Sequence, residues 1–172
     1  CVSVNLKSFD VCNNTSHGIE INNSVNIMLD TCNTSNNGGS GVCMIGTSND
    51  IGVINCVSKN NVSNGVIIGS GTTRVMMSNG SVQYNGVDGI SLQNNTNIIT
   101  GNCISMNDNN GIEISGDDNI INGNIIQSNG VDGIKLLSGS TYNIINGNNL
   151  KYNTGTNLND LGTGTTDVNN KV

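Results

Sequence analysis

Asp88, Glu113, Asp132 and Lys135 are the one group in this chain whose types and spacing could do chemistry together. As a functional group they make a carboxylate site, with or without Ca²⁺, in which Lys135 takes a proton beside a uronate carboxylate. The competing reading is a solvated face, on which Glu113 and Lys135 form an exposed ion pair of small energetic value. Cleavage at a glycosidic or uronate centre needs an acid and a base on either side of one bond, or a metal held by several convergent acids. No further acid and no Arg converges on Asp88 and Glu113, so the solvated face is the expected state.

The remaining reactive residues are more dispersed. The sole Arg, Arg74, stands at the start of another expected strand, distant in register from the acidic group, and the sole His, His17, precedes a glycine, where a turn role is expected. Asp117 and Asp118 sit beside Ser115 and Gly116, as expected of a surface turn. There is no Trp, and Tyr84 and Tyr152 hold one repeat position, where corner packing is expected rather than a sugar-stacking platform. Of six cysteines, Cys32 and Cys56 share one column and are expected as buried free thiols. One His and no Cys-x-x-Cys spacing argue against zinc.

What must position these residues is a repeat. Gly-apolar-x-apolar recurs at Gly18, Gly41, Gly65, Gly89, Gly111, Gly133 and, weakened, Gly155, with steps of 23, 24, 24, 22, 22 and 22 residues. A period of this size with internal alternation marks a solenoid, whose units stack because none buries its apolar face alone. A second strand is expected from Ile27, Ile51, Val75, Ile98, Ile120 and Ile144, and a third leads into Asn14, Asn37, Asn61, Asn85, Asn107, Asn129 and Asn153. Three strands per turn give an all-β prism of about seven coils. Stacking then forms two apolar ladders, one from Ile19 to Ile134 and one from Ile21 to Leu136, with the recurrent Asn as an amide ladder at a bend.

Composition agrees. Ala and Pro are absent and β-branched residues fill the periodic positions, which suits strands whose N–H groups are all needed. A net charge of −6 with scattered cations excludes a nucleic-acid groove, and no apolar run suffices to span a bilayer. The repeat runs throughout residues 1–172, so one domain is expected. Because Cys1 falls part-way through a coil, that domain is expected to be a fragment of a longer chain.

The Gly-Ile-x-Leu, Asn-Ile-Ile-x-Gly-Asn and Asn-x-x-Gly pattern resembles the right-handed parallel β-helix repeats of the pectin-lyase-like superfamily, especially the nitrous-oxide-accessory type. That resemblance implies a right-handed single-stranded parallel β-helix. In the superfamily's enzymes it implies catalytic groups projecting outward from one sheet into a groove. The outward positions here would be Glu20, Cys43, Ile67, Ser91, Glu113, Lys135 and Asn157, with His17, Ser40, Asn64, Asp88, Asn110 and Asp132 before the glycines. A pectate-lyase-like site implies Ca²⁺-binding acids with an Arg nearby, which are missing here. A polygalacturonase-like site implies paired aspartates and Gly-His-Gly, which Ser16-His17-Gly18 matches only in part.

Since the fold hosts lyases, hydrolases, epimerases, tailspikes and adhesins, it does not choose an activity. The expected function is a non-catalytic structural or adhesive module of a surface or virion protein, presenting a rigid face to a polysaccharide or protein partner. A homotrimer is one arrangement open to it. The alternatives are an extracellular polysaccharide lyase, hydrolase or epimerase using the acidic groove, and a periplasmic accessory binding protein. No cofactor is expected, except Ca²⁺ under the lyase alternative, and the expected location is extracellular, on a cell surface or on a virion.

Overall fold

The computed structural model describes residues 2–172, and among them every regular element is a strand. The strands form three all-parallel sheets of eight, seven and seven. The chain visits them in rotation: sheet A from Val2–Lys7, sheet B from Asp10–Cys12 and sheet C from Ile19–Asn22, then round again. The result is a β-solenoid of about seven coils with three strands per coil.

Sheet C holds both expected apolar ladders in register. Ile19, Val42, Val66, Ile90, Ile112 and Ile134 stack on one another, as do Ile21, Met44, Ile68, Leu92, Ile114 and Leu136, and all are buried. In-register stacking keeps like side chains in contact for the length of the rod, and a one-residue slip would turn each set outward. The glycine that opens each of these strands has a steric cause. A Cβ on Gly89 would lie 2.6 Å from the Gly111 carbonyl oxygen and 2.8 Å from Asn107 Nδ2.

Sheet A departs from the expected register. Met76, not Val75, pairs with Ile98, so Ile98, Ile120 and Ile144 face outward while Ile99, Ile121 and Ile145 enter the core. The cause is the shortening of the repeat from 24 to 22 residues. The inward slot of Ile27, Ile51 and Val75 passes to the bend, where Asn97 Oδ1 accepts the Val75 N–H at 2.9 Å. Asn97, Asn119 and Asn143 then form their own buried ladder. The last unit is also displaced. Ile134 pairs with Leu158, so Asn157 rather than Gly155 opens the final sheet C strand, and Asn159 takes the outward place assigned to Asn157.

The expected Asn ladder runs along the bend between sheets B and C. Asn107 donates both its backbone N–H and Nδ2 to Asn129 Oδ1, at 3.1 and 3.0 Å, and Asn85 does the same to Asn107. Asn107 Nδ2 also reaches back to the Val82 carbonyl. A third ladder, Asn102, Asn124, Asn148 and Asn170, lines the bend between sheets A and B. In earlier coils its place belongs to Cys32 and Cys56, with the Cys32 N–H donating to Cys56 Sγ at 3.4 Å. Both thiols are buried and free; Cys43 is also buried and free, and Cys12 and Cys103 are free and half-buried, while Cys1 lies outside the described residues.

Replacing Asn107 by Leu removes an acceptor and two donors from buried partners, so unfolding should be easier by about 1–3 kcal/mol. An unchanged chemical-denaturation midpoint would contradict the ladder. Burial pushes the Cys56 thiol up to about 11. Buried from reagent, Cys32 and Cys56 should resist alkylation in the native protein and react fully after denaturation without reductant, whereas a mass deficit for a disulfide would contradict this.

Candidate functional site

The outer face of sheet C stacks Glu20, Cys43, Ile67, Ser91, Glu113, Lys135 and Asn159 in one column. The residues preceding the sheet C strands form a second column beside it, and here the solvated-face expectation fails. Asp88 and Asp132 are each only 4% exposed. Their side chains extend a hydrogen-bond relay from coil to coil. Asn64 Oδ1 accepts the Asp88 N–H, Asp88 Oδ1 accepts the Asn110 N–H at 3.0 Å, and Asn110 Oδ1 accepts the Asp132 N–H. Asp132 Oδ1 then accepts the Thr156 N–H at 2.7 Å. His17 starts the same column, its Nδ1 accepting the Ser40 N–H at 2.9 Å.

Each aspartate is further tied by an amide: Asn109 Nδ2 donates to Asp88 Oδ1 and Asn159 Nδ2 to Asp132 Oδ2, both at 2.8 Å. The acids are here because the backbone N–H groups of these turns need an acceptor, and Asn, Asp and His all supply one. The sequence carried a signal of this role, since the position before the glycine is filled only by His, Ser, Asn and Asp from His17 to Asp132.

Glu113 and Lys135 are in register on adjacent strands and both half-buried. The expected ion pair is not formed. Among the described residues, ion pairs within 4.0 Å join Lys7 to Asp30 and Arg74 to Asp50. Glu113 Oε2 instead accepts Asn110 Nδ2 at 3.2 Å. Burial raises the Asp88 carboxyl above the ordinary aspartate value, against the Asn110 and Asn109 hydrogen bonds and the nearby Lys135 charge. Glu113 is raised by burial and by the Asp88 charge, with Lys135 opposing. The four residues thus share a neighbourhood, but only Glu113 and Lys135 are free of the backbone relay. Among the described residues no three His, Cys, Asp or Glu side chains gather as a metal site. Arg74 is on sheet A, its Nε 2.6 Å from Asp50 Oδ1.

Sequence reasoning also misplaced the tyrosines. Tyr84 and Tyr152 are not packed into the corner: they are 52% and 79% exposed.

The chain belongs to the right-handed β-helix family, whose sequence pattern matches residues 1–171. No curated protein matches it in sequence. Among solved structures it is similar to the A-module of the mannuronan C-5 epimerase AlgE4 of Azotobacter vinelandii, with a TM-score of 0.85 and 16% identity over 99% of this chain and 55% of that one. The periplasmic alginate epimerase AlgG is similar with a TM-score of 0.83 and 16% identity, over 95% of this chain and 44% of the other. ORF18 of Geobacillus virus E2 has a TM-score of 0.80 and 19% identity, over 97% and 38%. The chain spans about half or less of the length of these proteins, and at such identities the likeness is one of fold.

A carboxyl whose folded pKa is raised binds its proton more tightly in the native state, so stability rises as pH falls from the raised value toward the ordinary 3.8 and is lowest above that window. Asp88→Asn keeps an acceptor for the Asn110 N–H, as Asn64 and Asn110 do in the same column, without a buried charge. The variant should have a higher unfolding midpoint at pH 7 and no advantage well below pH 3.8. A lower midpoint at pH 7 would show that the relay requires the charge.

Proposed function

We propose that this chain is a non-catalytic β-helix module of a polysaccharide-associated surface or virion protein, acting as a rigid rod that presents its faces to a glycan or protein partner. The observation carrying this reading is that Asp88 and Asp132 spend an oxygen each on the backbone N–H of the next coil. Glu113 is left as the one carboxyl of the group outside the relay, without a second positioned acid or base across a bond. Resemblance in fold to alginate epimerases and to a viral protein is compatible with an extracellular or virion setting. Among the described residues no helix is long and apolar enough to cross a membrane.

An epimerase or lyase is the second reading, favoured by one observation: Lys135 lies near two carboxyls whose protonation is raised by burial. In that case Lys135 would be the base and Glu113 its partner, with Ca²⁺ required only for a lyase. Incubation with polymannuronate and polygalacturonate, with and without Ca²⁺, separates the two. Neither ultraviolet absorbance from unsaturated ends nor a change of uronate configuration by NMR is expected. Turnover abolished by Glu113→Gln or Lys135→Met would establish the enzyme.

A further inference from the structure

We propose that the outer face of sheet B binds an anionic polysaccharide, with Tyr84 and Tyr152 as stacking platforms and Lys59 and Lys151 as contacts for its charged groups.

The first observation is strain without packing. The residue before each Asn of the ladder between sheets B and C has a left-handed backbone, with φ of 61°, 57° and 55° at Asn13, Asn36 and Asn60. Asn tolerates this conformation best among residues with a side chain, whereas other L-residues are disfavoured by about 1–2 kcal/mol. From the fourth coil on, the column abandons Asn for Tyr84, Met106, Ser128 and Tyr152, yet the backbone stays left-handed, with φ of 55°, 56°, 56° and 57°. Tyr84, Met106 and Tyr152 are all exposed, so core packing does not compensate the strain. Strained positions filled by exposed aromatics point to a role outside folding. Tyr84 and Tyr152 are three coils apart, about 14 Å along the rod, which suits an extended polymer lying parallel to the axis.

Charge is the second observation. The protein carries a net −6, yet three of its six cations lie on this face. Lys59, Gln83, Ser105, Gln127 and Lys151 stack in one column next to the tyrosines, and Lys171 continues the adjacent column beyond Asn149. The ion pairs among the described residues use Lys7 and Arg74 instead. Asp10, in the first coil, is the one acid within the sheet B strands, and Asp108 lies beyond the Asn107 bend. A positive strip bearing amides and flanked by exposed rings complements a chain of sugars carrying carboxylates.

Binding of the intact chain to polygalacturonate and polymannuronate, with dextran as a neutral comparison, tests the proposal. Both polyuronates should bind better than dextran, and more weakly as salt rises. Tyr84→Asn with Tyr152→Asn should weaken binding by about tenfold, the loss of two ring contacts, while the unfolding midpoint is unchanged or higher because Asn suits the left-handed backbone. Lys59→Gln with Lys151→Gln should weaken binding and flatten its salt dependence. No preference for polyuronates, or full affinity in both double variants, would overturn the proposal, as would loss of binding in Glu113→Gln with Lys135→Gln alone, which places the ligand on sheet C. Turnover of these polymers would overturn the non-catalytic reading and leave this one standing.

Discussion

The structure depends on one interaction: a side-chain acceptor at each bend receives the backbone N–H of a neighbouring coil. In a parallel solenoid the strands satisfy each other, but the corners turn through left-handed residues and leave N–H groups that no ladder reaches. Asn solves this along the rod, because Oδ1 accepts while Nδ2 donates to the adjacent coil, so each amide is bonded above and below. Buried amides are costly when unpaired and specific when paired. They therefore set the register that the apolar columns then fill, and the close-packed glycine before the sheet C strands from Gly18 to Gly133 is the space they require.

The same requirement explains the acids. A turn that needs an acceptor can take Asp as readily as Asn, and Asp88 and Asp132 alternate with Asn64 and Asn110 in one relay. A cluster of carboxylates on neighbouring coils is thus what a solenoid of this design produces for structural reasons, although desolvation penalises the charged form. What remains for chemistry on that face is Glu113 and Lys135, in register and not ion-paired.

Columns were legible in the sequence wherever one residue type repeats. The Ile90, Ile112 and Ile134 ladder and the Asn85, Asn107 and Asn129 bend could be read from spacing, because stacking demands like residues at one period. Register was illegible where the period changes: Val75 and Ile98 look equivalent in the sequence, yet the two-residue shortening gives the inward place of Val75 to Asn97. The site was half legible. The neighbourhood of Asp88, Glu113, Asp132 and Lys135 followed from coil stacking. The burial of the aspartates did not, because the turns that surround them carry no periodic apolar signal. Tyr84 and Tyr152 were aligned correctly and assigned the wrong environment, since an aromatic at a repeated position looks the same whether it packs or projects.

Likeness in fold at 16–19% identity also has a physical basis. A coil needs inward apolar residues at alternate strand positions, acceptors at its bends and a small residue where backbones approach, and it needs nothing in particular on its outer faces. Epimerases and a viral protein can therefore share this chain's backbone while sharing few side chains. It follows that activity in such a rod is written in the outward columns and at the corners, where residues depart from what stacking asks for. In this chain the departures are the half-buried Glu113 and Lys135 on sheet C, and the exposed tyrosines and unpaired lysines of sheet B. The tyrosines carry a backbone cost that folding alone does not explain.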